Sequence, residues 1–247
     1  MTGSLPHWDW LYGRYEGCCL TLTQGVTPET LLQRYGADTS AARQLAFPQA
    51  YSVLQPGPDT SVLRAGSLPG WAFCLETLGV QGAMPAVLAA LSRDAQTISV
   101  TLDYNALHVL HHWVGGRPRE SFVPGQVSSL RAAGPHPFWD MTERHRSRQP
   151  DHPAVISALE AVGDVIGGHL PPDIAEKPLL TTLLSWTLPP LPSPVPPLPP
   201  VHPFEPRPVG PPLVGLQVPE DSPQPPVLGN PANPEGSPSG QGRWEGE

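Results

Sequence analysis

Proline is concentrated at the C-terminal end of this chain. Of the 36 prolines in 247 residues, 20 follow Leu188. That last stretch contains only two aromatic residues, Phe204 and Trp244. Such a segment lacks the apolar surface needed to offset an ordering cost of about 1–2 kcal/mol per residue. We therefore predict a globular domain over residues 1–188 and a disordered, proline-rich tail over residues 189–247.

A short proline-leucine block is repeated within this predicted tail. Pro189-Pro190-Leu191-Pro192 recurs seven residues later as Pro196-Pro197-Leu198-Pro199. The repeat is typical of an extended polyproline helix, which rises about 3.1 Å per residue. Two roles stay open for it. We favour a stiff spacer or an unconstrained extension, and the alternative is a ligand for an aromatic-lined groove in a partner.

Helix and strand signals fill the predicted domain. Thr27 can cap a helix that begins at Pro28, buries Leu31 and Leu32, and ends at Gly36. Two further helices are predicted over residues 85–93 and 153–166. Strands are predicted over residues 16–23, 50–55, 61–65, 71–76, 97–102, 107–114 and 117–123. Residues 124–152 are predicted to be irregular, and residues 179–186 to be a helix or a strand.

The turns between the predicted strands indicate how the strands pair. Gly115-Gly116 separates two β-rich segments, which is typical of a hairpin. Short turns elsewhere also favour antiparallel neighbours. The sequence thus predicts an α+β fold: a mostly antiparallel sheet of about five to seven strands with helices packed mainly on one face. Trp71 and Leu102 are expected to be buried on the sheet, and Leu32 to pack the first helix against it.

Charge and hydropathy restrict the classes of partner. The formal net charge is −8, to which the tail contributes −4 through six acidic residues and two arginines. Neither part is basic, so the main electrostatic requirement for binding nucleic acid is missing. We find neither a signal-peptide pattern nor an apolar run of the roughly 20 residues that span a bilayer. The predicted location is the cytoplasm, with no membrane or nucleic-acid partner.

The cysteines and a histidine cluster are the first candidates for special chemistry. Cys18, Cys19 and Cys74 are odd in number and form no disulfide pattern. Cys18 and Cys19 would point to opposite faces of a strand, and we favour small buried side chains over a redox pair. His108 and His112 lie about 13 Å apart if residues 107–114 form a strand. His111 would point to the opposite face, so the three imidazoles cannot converge on zinc. We predict neither a metal site nor a cofactor.

A second set of candidates is polar and lies near strand ends. Asp103 and Asn105 follow a predicted strand, where they serve either a binding site or the turn itself. If the protein is an enzyme, we expect its catalytic site around these two residues and Glu76. Trp71 is the remaining candidate binding residue. No catalytic residue is assigned.

Arg144, Arg146 and Arg148 form a basic cluster together with His145. The cluster could bind an acidic partner or a phosphate, although a solvated loop is favoured because the chain is acidic overall. The sequence contains no G-x-S-x-G, P-loop, G-x-G-x-x-G or H-E-x-x-H motif. This absence favours a binding module over an enzyme. It does not exclude an enzyme, because a catalytic triad can be assembled from residues that are distant in the sequence.

Several short motifs carry a family resemblance across residues 8–187. They are Trp8-Asp9-Trp10-Leu11, Cys19-Leu20-Thr21 through Thr27-Pro28-Glu29, Gly70-Trp71-Ala72, Glu76 with Gln81-Gly82, and Ser99-Val100 through Asn105-Ala106-Leu107. With these motifs the chain resembles an actinobacterial family of uncharacterised proteins, domain of unknown function 6461. Such proteins tend to read Glu-x-Asn-Gly before the Gln-Gly step, whereas in this chain Thr77-Leu78-Gly79-Val80 stands before that step. The resemblance implies an actinobacterial source and no particular activity.

The function predicted from the sequence is a non-catalytic binding or regulatory module with an unidentified protein partner. An immunity- or antitoxin-like protein is a special case of that prediction. The alternative is an enzyme with a polar site near Glu76, Asp103 and Asn105. The partner and the oligomeric state are not predicted.

Overall fold

The computed structural model describes residues 8–14, 17–103, 108–131 and 134–185. The helices are α1 (Asp9–Arg14), α2 (Pro28–Tyr35), α3 (Phe47–Leu54), a 3-10 helix (Gln81–Ala83), α4 (Pro85–Leu91), α5 (Pro137–Arg148), α6 (Ala154–Ile166) and α7 (Pro172–Glu176). The strands are β1 (Cys18–Gln24), β2 (Arg43–Leu45), β3 (Thr60–Leu68), β4 (Trp71–Thr77), β5 (Gln96–Leu102), β6 (Val109–Val114), β7 (Arg117–Val123), β8 (Gln126–Arg131) and β9 (Leu179–Ser185).

The strands form one nine-stranded sheet in the order β2-β9-β3-β4-β1-β5-β6-β7-β8. Every pairing is antiparallel, and β1 lies near the centre between β4 and β5. In this register Cys19 faces Glu76 on one side and Thr101 on the other. The predicted α+β fold with a mostly antiparallel sheet is confirmed, with nine strands where five to seven were expected.

Alternating side chains give the sheet two different faces. The first face, which bears Leu20, Phe73 and Ile98, packs against α1, α5, α6 and α7 in the larger hydrophobic core. The second face, which bears Leu63 and Cys74, packs against α2 and α4 in a smaller core. The helices therefore lie mainly on one face, as predicted, with a thinner helical layer on the other. Trp71 and Leu102 are buried on the first face, as expected, with 6% and 2% of their surfaces exposed.

Local sequence signals correctly predict the first long helix and the hairpin. Thr27 accepts a hydrogen bond from the Thr30 amide at 3.2 Å, which caps α2. The helix ends at Gly36, in the left-handed conformation. Leu32 is fully buried, as predicted. Strands β6 and β7 pair across Gly115-Gly116, as predicted.

Two predictions along the chain are wrong. The strand expected over residues 50–55 lies within helix α3, because Pro48 suits the first turn of a helix and the Gln49 side chain accepts a hydrogen bond from the Ala46 amide. Residues 124–152, expected to be irregular, contain strand β8 and the twelve-residue helix α5. The tail over residues 189–247 lies outside the described residues, so its disorder stays a prediction.

Candidate functional site

Glu76 is a fully buried carboxylate on central strand β4. Its Oε1 accepts a hydrogen bond from the Gln81 amide at 2.8 Å, and its Oε2 accepts one from the Gly82 amide at 2.8 Å. Burial raises the pKa of this carboxyl above its usual range, and the two amide hydrogen bonds oppose that rise. The side chain thus fixes the loop that leaves β4 and begins the 3-10 helix.

Beneath that loop, the second face of the sheet carries a cluster of small polar groups. The Tyr35 hydroxyl donates a hydrogen bond to Thr21 Oγ1 at 2.7 Å, and Cys19 Sγ lies 3.2 Å from Ser99 Oγ. Burial raises the pKa of the Cys19 thiol to about 12, so the thiol is neutral and poorly suited to redox chemistry. These groups satisfy one another inside the protein and leave no polar surface for a ligand.

Gly82 lies directly on this polar cluster. A Cβ atom at this position would overlap the Tyr35 hydroxyl and lie 2.5 Å from Thr21 Oγ1 and 2.9 Å from Cys19 Sγ. Only glycine at position 82 allows the 3-10 helix to approach the sheet so closely while the Gln81 and Gly82 amides stay hydrogen-bonded to Glu76. The Glu76 and Gln81-Gly82 motif is thereby explained as the anchor of one loop.

The outer side of the same loop is apolar. Leu78, Val80 and Met84 expose 52%, 37% and 39% of their surfaces, and Pro85 and Ala86 are exposed as well. We call these five side chains the apolar surface. No charged residue occurs anywhere in residues 77–92. The described residues contain six exposed large hydrophobic side chains, so half of them lie within this one loop.

Leu78 adopts an unusual backbone conformation. Its φ is 64°, in the left-handed region where glycine and asparagine are favoured and a branched apolar residue is strained. The following residue has no room for a side chain, because a Cβ on Gly79 would overlap Ser61 Oγ and lie 2.8 Å from Glu76 Oε1. The anchored loop therefore holds a strained leucine outward in solvent.

The structure does not bring together the three candidate binding residues that it describes, Glu76, Trp71 and Asp103. Trp71 is five residues from Glu76 along β4, about 17 Å away, and its side chain lies in the core on the opposite face. Asp103 follows β5, two strands away from β4, so the separation across the sheet is already about 9 Å. The Asp103 amide donates a hydrogen bond to His108 Nδ1 at 3.3 Å. Asn105 lies outside the described residues.

The three clustered histidines lie on or beside strand β6 and have separate surroundings. His111 Nδ1 lies 2.9 Å from Ser121 Oγ, whereas the His112 ring packs against Phe138 with centroids 4.8 Å apart. Burial, with a smaller effect of the nearby Arg119 charge, lowers the pKa of His112 to about 4. Within the described ranges, no three His, Cys, Asp or Glu side chains are arranged to hold a metal ion.

A second buried carboxylate was not anticipated from the sequence. Glu120 on β7 is 1% exposed and accepts hydrogen bonds from the Phe138 amide at 3.1 Å and the Trp139 amide at 2.7 Å. It therefore caps helix α5 from a neighbouring element, with Pro137 at the first turn. No local signal identifies such a cap, because donor and acceptor are 18 and 19 residues apart.

The basic cluster lies on the last turns of α5. Arg146 forms an ion pair with Glu143 at 2.6 Å, and His145 Nε2 lies 2.9 Å from Asp164 on α6. Arg144 and Arg148 are exposed. Basic residues near a helix C-terminus interact favourably with the helix dipole, which accounts for the cluster without a ligand.

Comparisons with known proteins identify a family but no activity. Neither the curated proteins nor the solved structures contain a match to this chain. Among the described residues, no helix has the length and apolar character needed to cross a membrane. The model of a family of unknown function, DUF6461, matches residues 7–143, which is more than half of the chain. That match covers the anchored loop, its polar cluster and the Glu120 cap, and the chain therefore belongs to the family of unknown function DUF6461.

Proposed function

We propose that this protein is a non-catalytic binding or regulatory module that docks a protein partner on the apolar surface around Leu78, Val80 and Met84. One observation carries the proposal: three large apolar side chains are held in solvent by a loop that Glu76 fixes from inside the fold. Exposed apolar groups concentrated in one place are typical of an interaction site. A loop fixed before binding also reduces the ordering cost of association.

The strain at Leu78 supports the same role. An αL conformation costs a leucine about 1–2 kcal/mol, and burial of the side chain does not repay this cost, because half of the side chain is exposed. Within the protein itself, no burial offsets the free-energy cost of the strained Leu78 backbone. Contact with a partner would bury the Leu78 side chain and so offset that cost.

The inward-facing polar groups support binding rather than catalysis. Both Glu76 oxygens already accept backbone amides, and the neighbouring Cys19 and Tyr35 are fully or almost fully buried. A general acid or base must reach its substrate, and none of these groups is accessible to one. A regulatory protein of the immunity or antitoxin kind, acting in the cytoplasm, is a special case of this function. An enzyme that uses Glu76, Asp103 and Asn105 remains the alternative, and it requires a substrate cleft between them.

A pull-down with matched variants tests the proposed docking surface. The full chain, immobilised and incubated with native lysate, should capture a partner that the double variant Leu78→Asp/Met84→Asp does not capture. Val127→Asp is the control, because Val127 is 70% exposed on edge strand β8, several strands from the apolar surface. Equal capture by wild type and the double variant, with both proteins folded by circular dichroism, would refute this docking surface.

A further inference from the structure

Helix α5 is attached to the sheet at its first turn through one carboxylate. Glu120 on β7 is almost fully buried and accepts hydrogen bonds from the amides of Phe138 and Trp139. These amides belong to the end of the helix that carries the positive part of the helix dipole. The attachment of the turn therefore depends on where the Glu120 carboxylate points and on its charge.

His112 lies directly opposite Glu120 in the sheet. The two residues are partners in the pairing of β6 with β7, so their Cβ atoms lie about 4.5–5.5 Å apart on the face beneath α5. The His112 ring packs on Phe138 of α5, with ring centroids 4.8 Å apart. Both ring nitrogens are buried, and among the described residues neither has a hydrogen-bond partner. A neutral imidazole is tolerated in such a place, whereas an imidazolium there carries a charge and two unsatisfied N–H donors.

The charged groups around this pair also oppose a proton on His112. Burial lowers the pKa of His112, and the positive charge of Arg119 on β7 lowers it further. The positive end of α5 faces the ring from the other side. Glu120 is influenced from the α5 side, where His136 lowers the pKa of its carboxyl and Asp140 raises it, both less strongly than burial and the amide hydrogen bonds. In the pairing of β6 with β7, Glu120 is the carboxylate that lies opposite the ring.

From this geometry we infer that His112 and Glu120 form a proton-sensitive latch, which releases the first turn of α5 when the pH falls. Protonated His112 pairs with the Glu120 carboxylate across the two strands, and the Phe138 and Trp139 amides lose their acceptor. This charge-assisted hydrogen bond outweighs the contact that an imidazolium makes with the face of the Phe138 ring. The released turn hydrogen-bonds with water and exposes Phe138, which is 2% exposed while the turn is attached.

The linkage between protons and attachment gives the direction and the size of the effect. Burial and Arg119 lower the pKa of His112 to about 4 while α5 is attached, and release returns it to at least its usual value of about 6.5. Attachment is therefore strongest above about pH 6.5 and weakens as the pH falls toward 4. For His112 alone, release increases about 20-fold between pH 7 and pH 5. Burial raises the pKa of Glu120, which acts in the opposite sense and less strongly, so we expect about tenfold.

Hydrogen exchange of the full chain between pH 5 and pH 7, corrected for intrinsic exchange rates and followed by mass spectrometry, tests the latch. Protection of the first turn of α5 should fall about tenfold from pH 7 to pH 5, while protection of α2 stays constant. His112→Phe keeps an aromatic ring on Phe138 without a titrating nitrogen and should abolish this fall. His111→Phe is the matched control and should show the wild-type fall, because His111 points to the opposite face, where its Nδ1 lies 2.9 Å from Ser121 Oγ.

Several outcomes would overturn the latch. Constant protection of α5 from pH 7 to pH 5 would do so, as would a fall that persists in His112→Phe or one that α2 shares. Because a substitution can also alter packing, the His112 ring of the wild type is titrated directly by NMR. A midpoint at or above about 6.5 with α5 still fully protected would show that the proton binds without releasing the helix. None of these results depends on the apolar surface, so the proposed docking function is tested separately.

Discussion

Removal of the Glu76 carboxylate is the sharpest test of how the loop after β4 is held. In Glu76→Ala the amides of Gln81 and Gly82 lose both acceptors, and the Gly82 amide lies in a buried part of the fold. An unsatisfied buried amide costs about 1–3 kcal/mol, and the half-buried Gln81 amide, which water can partly solvate, adds less, so we expect a loss of about 1–4 kcal/mol in the free energy of unfolding. Glu76→Gln keeps one acceptor oxygen and turns an NH₂ group toward the other amide, so we expect a loss of about 1–3 kcal/mol.

Urea unfolding followed by far-ultraviolet circular dichroism measures these losses. The matched control is Glu29→Gln, which removes an exposed carboxylate from the first turn of α2 and should cost less than about 1 kcal/mol. Equal slopes of free energy against urea would show that the variants unfold from comparable native states. A Glu76→Ala loss no larger than that of Glu29→Gln would refute the anchoring role, because the two amides would then have found other acceptors.

The pH dependence of Glu76→Gln tests the balance between burial and hydrogen bonding. Burial raises the folded-state pKa of Glu76 above that of the unfolded chain, which is about 4.3. A raised pKa gives a stability contribution that is fully present below the unfolded pKa and is lost as pH rises through the folded pKa. The wild type should therefore lose part of its advantage over Glu76→Gln as pH rises above about 4.3. An advantage that grows with pH would mean that the amide hydrogen bonds outweigh burial.

Four further predictions concern packing, acid sensitivity and the tail. Gly82→Ala should lose about 1–3 kcal/mol in urea unfolding, because its Cβ would overlap the Tyr35 hydroxyl, and a negligible loss would contradict this close packing. Leu32→Ala should lose about 2–5 kcal/mol by the same assay, since Leu32 is fully buried, and a loss below about 0.5 kcal/mol would contradict its core position. His112 has a pKa lowered to about 4, so it contributes stability above its unfolded pKa of about 6.5 that is lost as pH falls through 4. The melting temperature of His112→Phe should accordingly fall less between pH 7 and pH 4 than that of the wild type, and parallel curves would exclude His112 as the sensitive group. Truncation after Leu188 should leave the melting temperature of the domain unchanged, whereas a clear drop would show that the tail packs on it.

The sequence predicted Glu76 as a polar residue of interest but not what it does. Its selection depended on a motif with Gln81-Gly82, and the hydrogen bonds between them appear only when β4 and the loop are in place. The apolar surface was missed altogether. In the sequence, Leu78 and Val80 are indistinguishable from core residues, because hydrophobicity alone does not show whether a side chain points inward or outward. The uncharged run over residues 77–92 was the available signal.

What the sequence determined by itself is local. Helix α2 begins with the Thr27 cap and ends at Gly36, and the β6–β7 hairpin turns on two glycines, because each signal and its response lie within a few residues. The antiparallel character of the sheet followed from the same short turns.

Tertiary structure decided the features whose partners are distant in the chain. Glu120 begins α5 from 18 residues away, and the fully buried Arg64 donates to the Ala175 carbonyl 111 residues later at 2.7 Å. Leu78 faces solvent because Glu76 and Gly79 fix the loop against the sheet. A buried charge is tolerated only where such partners exist, and their positions are set by packing of the whole sheet rather than by neighbouring residues.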